Sequence, residues 1–274
     1  MTEGRTAEHG EDEGHWSAVR GDGTIVATAI HHGRGLRPEA HAKIRLSPAE
    51  RLREEDPYTG DLIRGVPTRV IAHRSRFEVD LNRAREDAVY RTAPQAWGLE
   101  VWKEEPSDGF VLRSLHVHDG FYTMMRSLLD GIVREHGAFV LLDVHSYNHR
   151  REGPLASPTP PEKAPDVNIG TFSMPPGRWE DVLCALEDAV RRYDHLGRRL
   201  QVGRNVAFQG RGALTRFVHQ TFPSNGCAIA LEFKKFFMDE WSGVPDRAEI
   251  DSLQRLVTGL VPILDAALAG TVKR

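Results

Sequence analysis

A chain of 274 residues, 40% hydrophobic and 27% charged, is long enough to bury a sizeable core and too balanced to be collagenous, low-complexity or wholly disordered. Lys and Arg number 36 against 39 Asp and Glu, a net charge of −3, so no basic field exists to hold a phosphate backbone or an anionic membrane, and no nucleic-acid partner is expected. Cys184 and Cys227 match no metal-binding or redox spacing, and no run of about 18 consecutive apolar residues offers a bilayer span, so a cytoplasmic protein outside the membrane is expected.

Residues 1–20 open acidic and polar, with none of the apolar run of a signal peptide, and read as a disordered tail ahead of a single domain over 21–274. Gly23 to Ile30 is β-branched and apolar and ends in His31-His32-Gly33-Arg34-Gly35, the pattern of a buried strand opening into a loop. Ser47-Pro48-Ala49-Glu50 fits a capping box with proline at the first helical position, and Asp56-Pro57 ends that helix. Thr68–Ala72 and Phe77–Leu81 read as strands, and 92–118, interrupted by Pro94, Gly98, Pro106 and Gly109, as mostly loop. From Phe121, apolar residues at three-and-four spacing up to Val133 predict an amphipathic helix with Gly137 as its C-cap. Ala138 to His145 is a nearly unbroken apolar run suited to a central strand, 149–166 is a proline-rich loop, and Val167–Phe172 is a short strand. Helices are expected over Trp179–Tyr193, Leu214–Phe222 and about Asp246–Leu268, where Pro262 is a potential kink, with strands at Gln201–Phe208 and Cys227–Phe233. This alternation predicts an α/β fold around one mostly parallel sheet, in which ligands bind beyond the carboxyl ends of strands.

No HExxH, phosphate-binding loop, GxSxG or dinucleotide fingerprint is present, so any chemistry is dispersed along the chain. His31 and His145, each at the end of an apolar strand, are where neutral imidazoles could meet around a borderline cation such as zinc, although strand-end histidines are more often surface or structural groups. Asp143, two residues before His145, shares its strand face and could orient an imidazole, or simply be a buried hydrogen-bonded aspartate. Asp56 reads on its own as a helix-terminating Asp-Pro. Glu232 lies in an apolar segment where an unpaired carboxylate is costly; it is either a structural partner for an arginine or a functional acid.

The segments Asp80-Leu81-Asn82-Arg83, Asp143-Val144-His145-Ser146, Asn168-Ile169-Gly170-Thr171, Leu231-Glu232-Phe233 and Met238-Asp239-Glu240, in this order, resemble the N-formylglutamate amidohydrolase family over roughly residues 25–268. The resemblance implies kinship with zinc carboxypeptidases and aspartoacylase-like deacylases, and a phosphorylase/hydrolase-like mixed sheet flanked by helices. It implies one zinc ion held by His31, Asp56 and His145, Glu232 as general base, and Arg76 as oxyanion stabiliser. Asn82 and Arg83 would hold the substrate carboxylate, Arg216 would reach a second carboxylate, and Asn168 would line the pocket. Carboxypeptidase-like relatives carry a glutamate ligand three residues after the first histidine, where Arg34 stands here; Asp56 matches the aspartate that members of the formylglutamate family carry, and the resemblance implies it as the carboxylate ligand. The implied reaction is metal-dependent hydrolysis of a small-molecule N-acyl amino acid, N-formylglutamate first among them. The alternatives are a carboxypeptidase-like or deacylase activity on another small carboxylated amide, and a non-catalytic dicarboxylate-binding protein.

Overall fold

The computed structural model describes residues 14–272. Seven strands form one mixed sheet, β1 (Trp16–Val19), β2 (Ile25–Ala29), β3 (Thr68–Ala72), β4 (Phe139–Tyr147), β5 (Val167–Gly170), β6 (Val202–Arg204) and β7 (Gly226–Lys234), in the order β1-β3-β2-β4-β7-β5-β6. Strands β3, β2, β4 and β7 run parallel, while β1 and β5 enter antiparallel to their neighbours β3 and β7. β1 forms within the segment expected as a tail, because Trp16 to Val19 pair with Ala72 to Arg69; residues 1–13 lie outside the described residues.

The helices are α1 (Pro38–Lys43), α2 (Pro48–Glu54), α3 (Thr59–Leu62), α4 (Asp108–His136), α5 (Glu180–Arg192), α6 (Ala213–Thr221) and α7 (Arg247–Val272). α2 starts at the Ser47–Glu50 capping box, and α4 ends at Gly137, whose φ of 84° needs the freedom of glycine. By length and composition α7 could cross a membrane, but Ile250, Leu253, Leu256, Val257, Leu260, Leu264 and Leu268 form one buried stripe at helical spacing. That stripe packs with α3 and α5 on Ala27, Ala29, Val140, Leu142, Ile229 and Leu231 of the sheet. On the opposite face Phe121, Met125 and Leu129 of α4 and Leu214 and Val218 of α6 cover Val26, Val70, Leu141 and Ala228.

Three expectations are corrected. Phe77–Leu81 is a turn-rich segment, not a strand: its alternating Phe77, Val79 and Leu81 are buried, but Glu78 N and Asp80 N are satisfied locally, on Ser75 O (2.9 Å) and Ala88 O (2.7 Å). The stretch 92–118 is loop only to Ser107, which caps α4; the helix begins at Asp108, thirteen residues before Phe121, and Phe110, Val111, Leu115 and His118 extend its buried face. The strand expected over Gln201–Phe208 stops at Arg204, because Asn205 turns into the left-handed region at φ 57°.

Candidate active site

The C-terminal ends of the parallel strands converge on one edge. Side chains alternate along β4, so with Val140, Leu142 and Val144 packed on the α5/α7 side, Asp143 and His145 stand on the α4/α6 side. His145 pairs in register with Glu232 on β7, and Glu232 in turn with Asn168 on β5, which brings three polar groups to one face. His31 follows β2 by two residues, and its backbone carbonyl accepts the Asp56 N–H at 2.9 Å, so the loop after α2 is fastened directly to the end of β2.

His31, Asp56 and His145 are buried, and one donor atom from each lies within 4.8 Å of the other two. Asp56 Oδ2 is 3.4 Å from His31 Nδ1 and 3.0 Å from His145 Nδ1. These separations match the roughly 3.3 Å edge of a tetrahedron with arms of about 2.0–2.1 Å, the length of zinc bonds to nitrogen and oxygen. His31 Nδ1 is buried without a hydrogen-bond partner among the described residues, an orphan that a cation would satisfy. The far nitrogens are both addressed by carboxylates: His31 Nε2 bonds Asp80 Oδ1 at 2.7 Å, and His145 Nε2 lies 2.9 Å from Asp143 Oδ2. Such carboxylate–imidazole pairs set ring orientation and leave Nδ1 for a metal. The residues present therefore fit a single divalent metal ion.

Asp80 is the hub of this arrangement. Oδ1 accepts from His31 Nε2 and from the Asn82 N–H at 2.8 Å; Oδ2 accepts from Arg76 Nη2 at 2.7 Å, from Arg76 Nε at 3.2 Å and from the Tyr90 hydroxyl. Burial alone would raise its pKa, but the Arg76 and His31 charges hold it well below the usual carboxylate range. Burial likewise opposes ionisation of Asp56, and the hydrogen-bonded His145 with the adjacent His31 imidazole overcomes it. Glu232 has no such donor among the described residues: burial, with Asp56 and Asp143 nearby, pushes its pKa up to about 7 against the pull of His145. Lys235, also buried, donates Nζ to Arg53 O at 2.6 Å and Glu55 O at 2.8 Å, which pins the chain just before Asp56.

A cavity of about 710 Å³ opens in front of these groups and is lined by Arg76, Asn82, Arg83, Arg216 and Glu232. Asn82 is tethered to α6, its Oδ1 accepting Leu214 N–H at 3.3 Å, and its Nδ2 is 3.4 Å from His145 Nε2. Arg216 makes no ion pair among the described residues. Asn168 departs from its expected place: it is buried and does not line the cavity, and its amide holds the loop that does, through Val206 N and Ala207 N (both 2.9 Å) and Phe208 O (2.7 Å). The sequence alone assigns no role to Asp80, Tyr90, Trp97 or Lys235; of these only Asp80 carried a signal, as part of the Asp80-Leu81-Asn82-Arg83 segment.

A family model described as N-formylglutamate amidohydrolase matches residues 23–238. The fold is similar to that of an N-formylglutamate amidohydrolase from Ralstonia eutropha JMP134, with 18% identity and a TM-score of 0.74 over 94% of this chain and 99% of that one. It is similar also to a gene product of Agrobacterium tumefaciens, with 15% identity and a TM-score of 0.59 over 93% of this chain and 95% of that one. No curated protein matches the sequence.

Proposed function

Because the chain belongs to the N-formylglutamate amidohydrolase family, we propose that it hydrolyses the amide of an N-formyl amino acid with a carboxylated side chain, such as N-formylglutamate, to the free amino acid and formate. The observation that carries this reading is the placement of Glu232 beside His145 in the β4–β7 register, at the mouth of the buried His31/Asp56/His145 group. A zinc ion held by those three residues would supply Lewis acidity, making hydroxide accessible from water near pH 7.

Glu232 accepts the proton of the attacking water and later delivers it to the leaving nitrogen as the C–N bond breaks. A buried carboxyl that holds its proton more readily than a solvated one suits the second half of that task, and general acid–base catalysis of this kind is worth about 10²–10⁴ in rate. Arg76 has five N–H donors; Nε and one Nη2 hydrogen serve Asp80 and one Nη1 hydrogen serves Glu54 O at 3.2 Å, which leaves two for a developing oxyanion. Its charge is secured by Asp80 against the cost of burial. Arg83, 37% exposed at its side chain, offers a fork for the substrate carboxylate beside the Asn82 amide. Arg216 is the partner we assign to a second carboxylate. Free thiols at Cys184 and Cys227 agree with a reducing, cytoplasmic setting.

The test is to measure metal content and turnover of N-formyl-L-glutamate in wild type and Glu232→Gln. We expect about one zinc per chain in both, and loss of turnover in the variant and on chelation, reversed in wild type by zinc. Full turnover by the glutamine variant would remove Glu232 from the mechanism. Binding of L-glutamate without any turnover by the zinc-loaded wild type would replace hydrolysis by dicarboxylate binding.

A further inference from the structure

We propose that Trp97 is a positioning residue that holds the Arg83 guanidinium, and secondarily that of Arg76, in place for the substrate; the inference rests on the reading of these arginines given above. Trp97 follows a short 3-10 turn, Ala93–Ala96, and its backbone lies in the left-handed region at φ 54°. A bulky side chain rarely occupies that region, and the surroundings must enforce it. The turn is fastened by Gln95, whose Oε1 accepts Arg91 N–H at 2.8 Å and Thr92 N–H at 3.1 Å, and Trp97 N–H closes it on Ala93 O. The strained conformation leaves the indole 45% exposed although it lines the cavity, so burial does not explain it.

The guanidinium carbon of Arg76 lies 4.7 Å from the centre of the indole ring and that of Arg83 5.9 Å, while Arg83 is also 5.6 Å from the Tyr90 ring. Tyr90 and Trp97 meet edge to face at 5.8 Å, forming one aromatic platform under two cations. The two arginines differ in their other anchors. Arg76 is locked by Asp80, whereas the Arg83 guanidinium has one hydrogen bond among the described residues, to Gln95 O at 3.3 Å, and lies 3.9 Å from Asp80 Oδ2. Removing the ring face should therefore disturb Arg83 most.

The experiment compares Trp97→Phe, which keeps a π face, with Trp97→Leu, which keeps apolar bulk only. For zinc-loaded enzyme and N-formyl-L-glutamate, we expect Trp97→Leu to raise KM about tenfold with kcat within about threefold of wild type, and Trp97→Phe to restore most of the loss. The thermal midpoint should move little in either, since the side chain is half exposed. Calorimetric titration with L-glutamate should show the same ranking of Kd. Wild-type KM and Kd in Trp97→Leu, with turnover intact, overturn the proposal and leave the hydrolase reading standing. Absence of turnover, with glutamate binding weakened in Trp97→Leu and preserved in Trp97→Phe, refutes the hydrolase reading and supports the role of Trp97.

Discussion

Replacing Asp80 by asparagine changes one atom for a group of nearly equal size, so its effect isolates charge and donor pattern from shape. Asp80 is fully buried and receives His31 Nε2, Asn82 N, two nitrogens of Arg76 and the Tyr90 hydroxyl. An asparagine oxygen can keep one side of that set, but its NH₂ then faces donors on the other. Arg76, only 12% exposed at its side chain, loses the sole carboxylate within ion-pair distance among the described residues. Breaking a buried ion pair by removing one partner costs about 3–5 kcal/mol, and that loss should appear in urea unfolding of the metal-free protein. Independently, His31 loses the acceptor that fixes its ring; removing such an outer partner weakens metal binding about 10–100-fold, or roughly 1.4–2.8 kcal/mol, measurable by competition with a chromophoric chelator. The two readouts separate the effects, since the first contains no metal. Wild-type stability and zinc affinity in Asp80→Asn would refute the claim that Asp80 organises the site.

Glu232→Gln should lower kcat by about 10²–10⁴ while leaving zinc affinity within a few-fold, read by steady-state kinetics and metal analysis. In Gly212→Ala the new Cβ would come within 2.3 Å of Asn82 Oδ1 at a backbone angle (φ −60°) that alanine accepts, so KM for N-formyl-L-glutamate should rise about tenfold through displacement of the Asn82 amide. His219 is buried with Nε2 accepting the Ala228 N–H at 3.1 Å, and burial lowers its pKa from 6.5 to about 4. With the folded pKa depressed, the unfolded chain binds the proton first, so stability present above pH 6.5 is lost as pH falls to 4, by about 3 kcal/mol. Urea unfolding between pH 7 and 4 should show that loss in wild type and not in His219→Gln; equal slopes would place the titration elsewhere.

The residues of the site were legible in the chain to different depths, for physical reasons. His31, His145 and Glu232 could be picked out because each interrupts or ends an apolar run, where an unsatisfied polar group is too costly to persist without a purpose. The capping box of α2, the glycine end of α4 and the apolar stripe of α7 depend on neighbours three or four residues apart, and local spacing encodes them directly. Phe77–Leu81 defeated the same approach, since alternating apolar residues look alike whether their backbone bonds run to a partner strand or close within a turn. What only the tertiary structure decided is which distant groups face one another. The backbone bond from Asp56 to His31, the five donors gathered on Asp80, the diversion of Asn168 to the 206–208 loop and the ring of Trp97 under two arginines join residues up to 49 positions apart, as His31 is from Asp80. Those pairings follow from the order and register in which the strands assemble, and a linear pattern of hydrophobicity carries the period of each strand but not the identity of its neighbour.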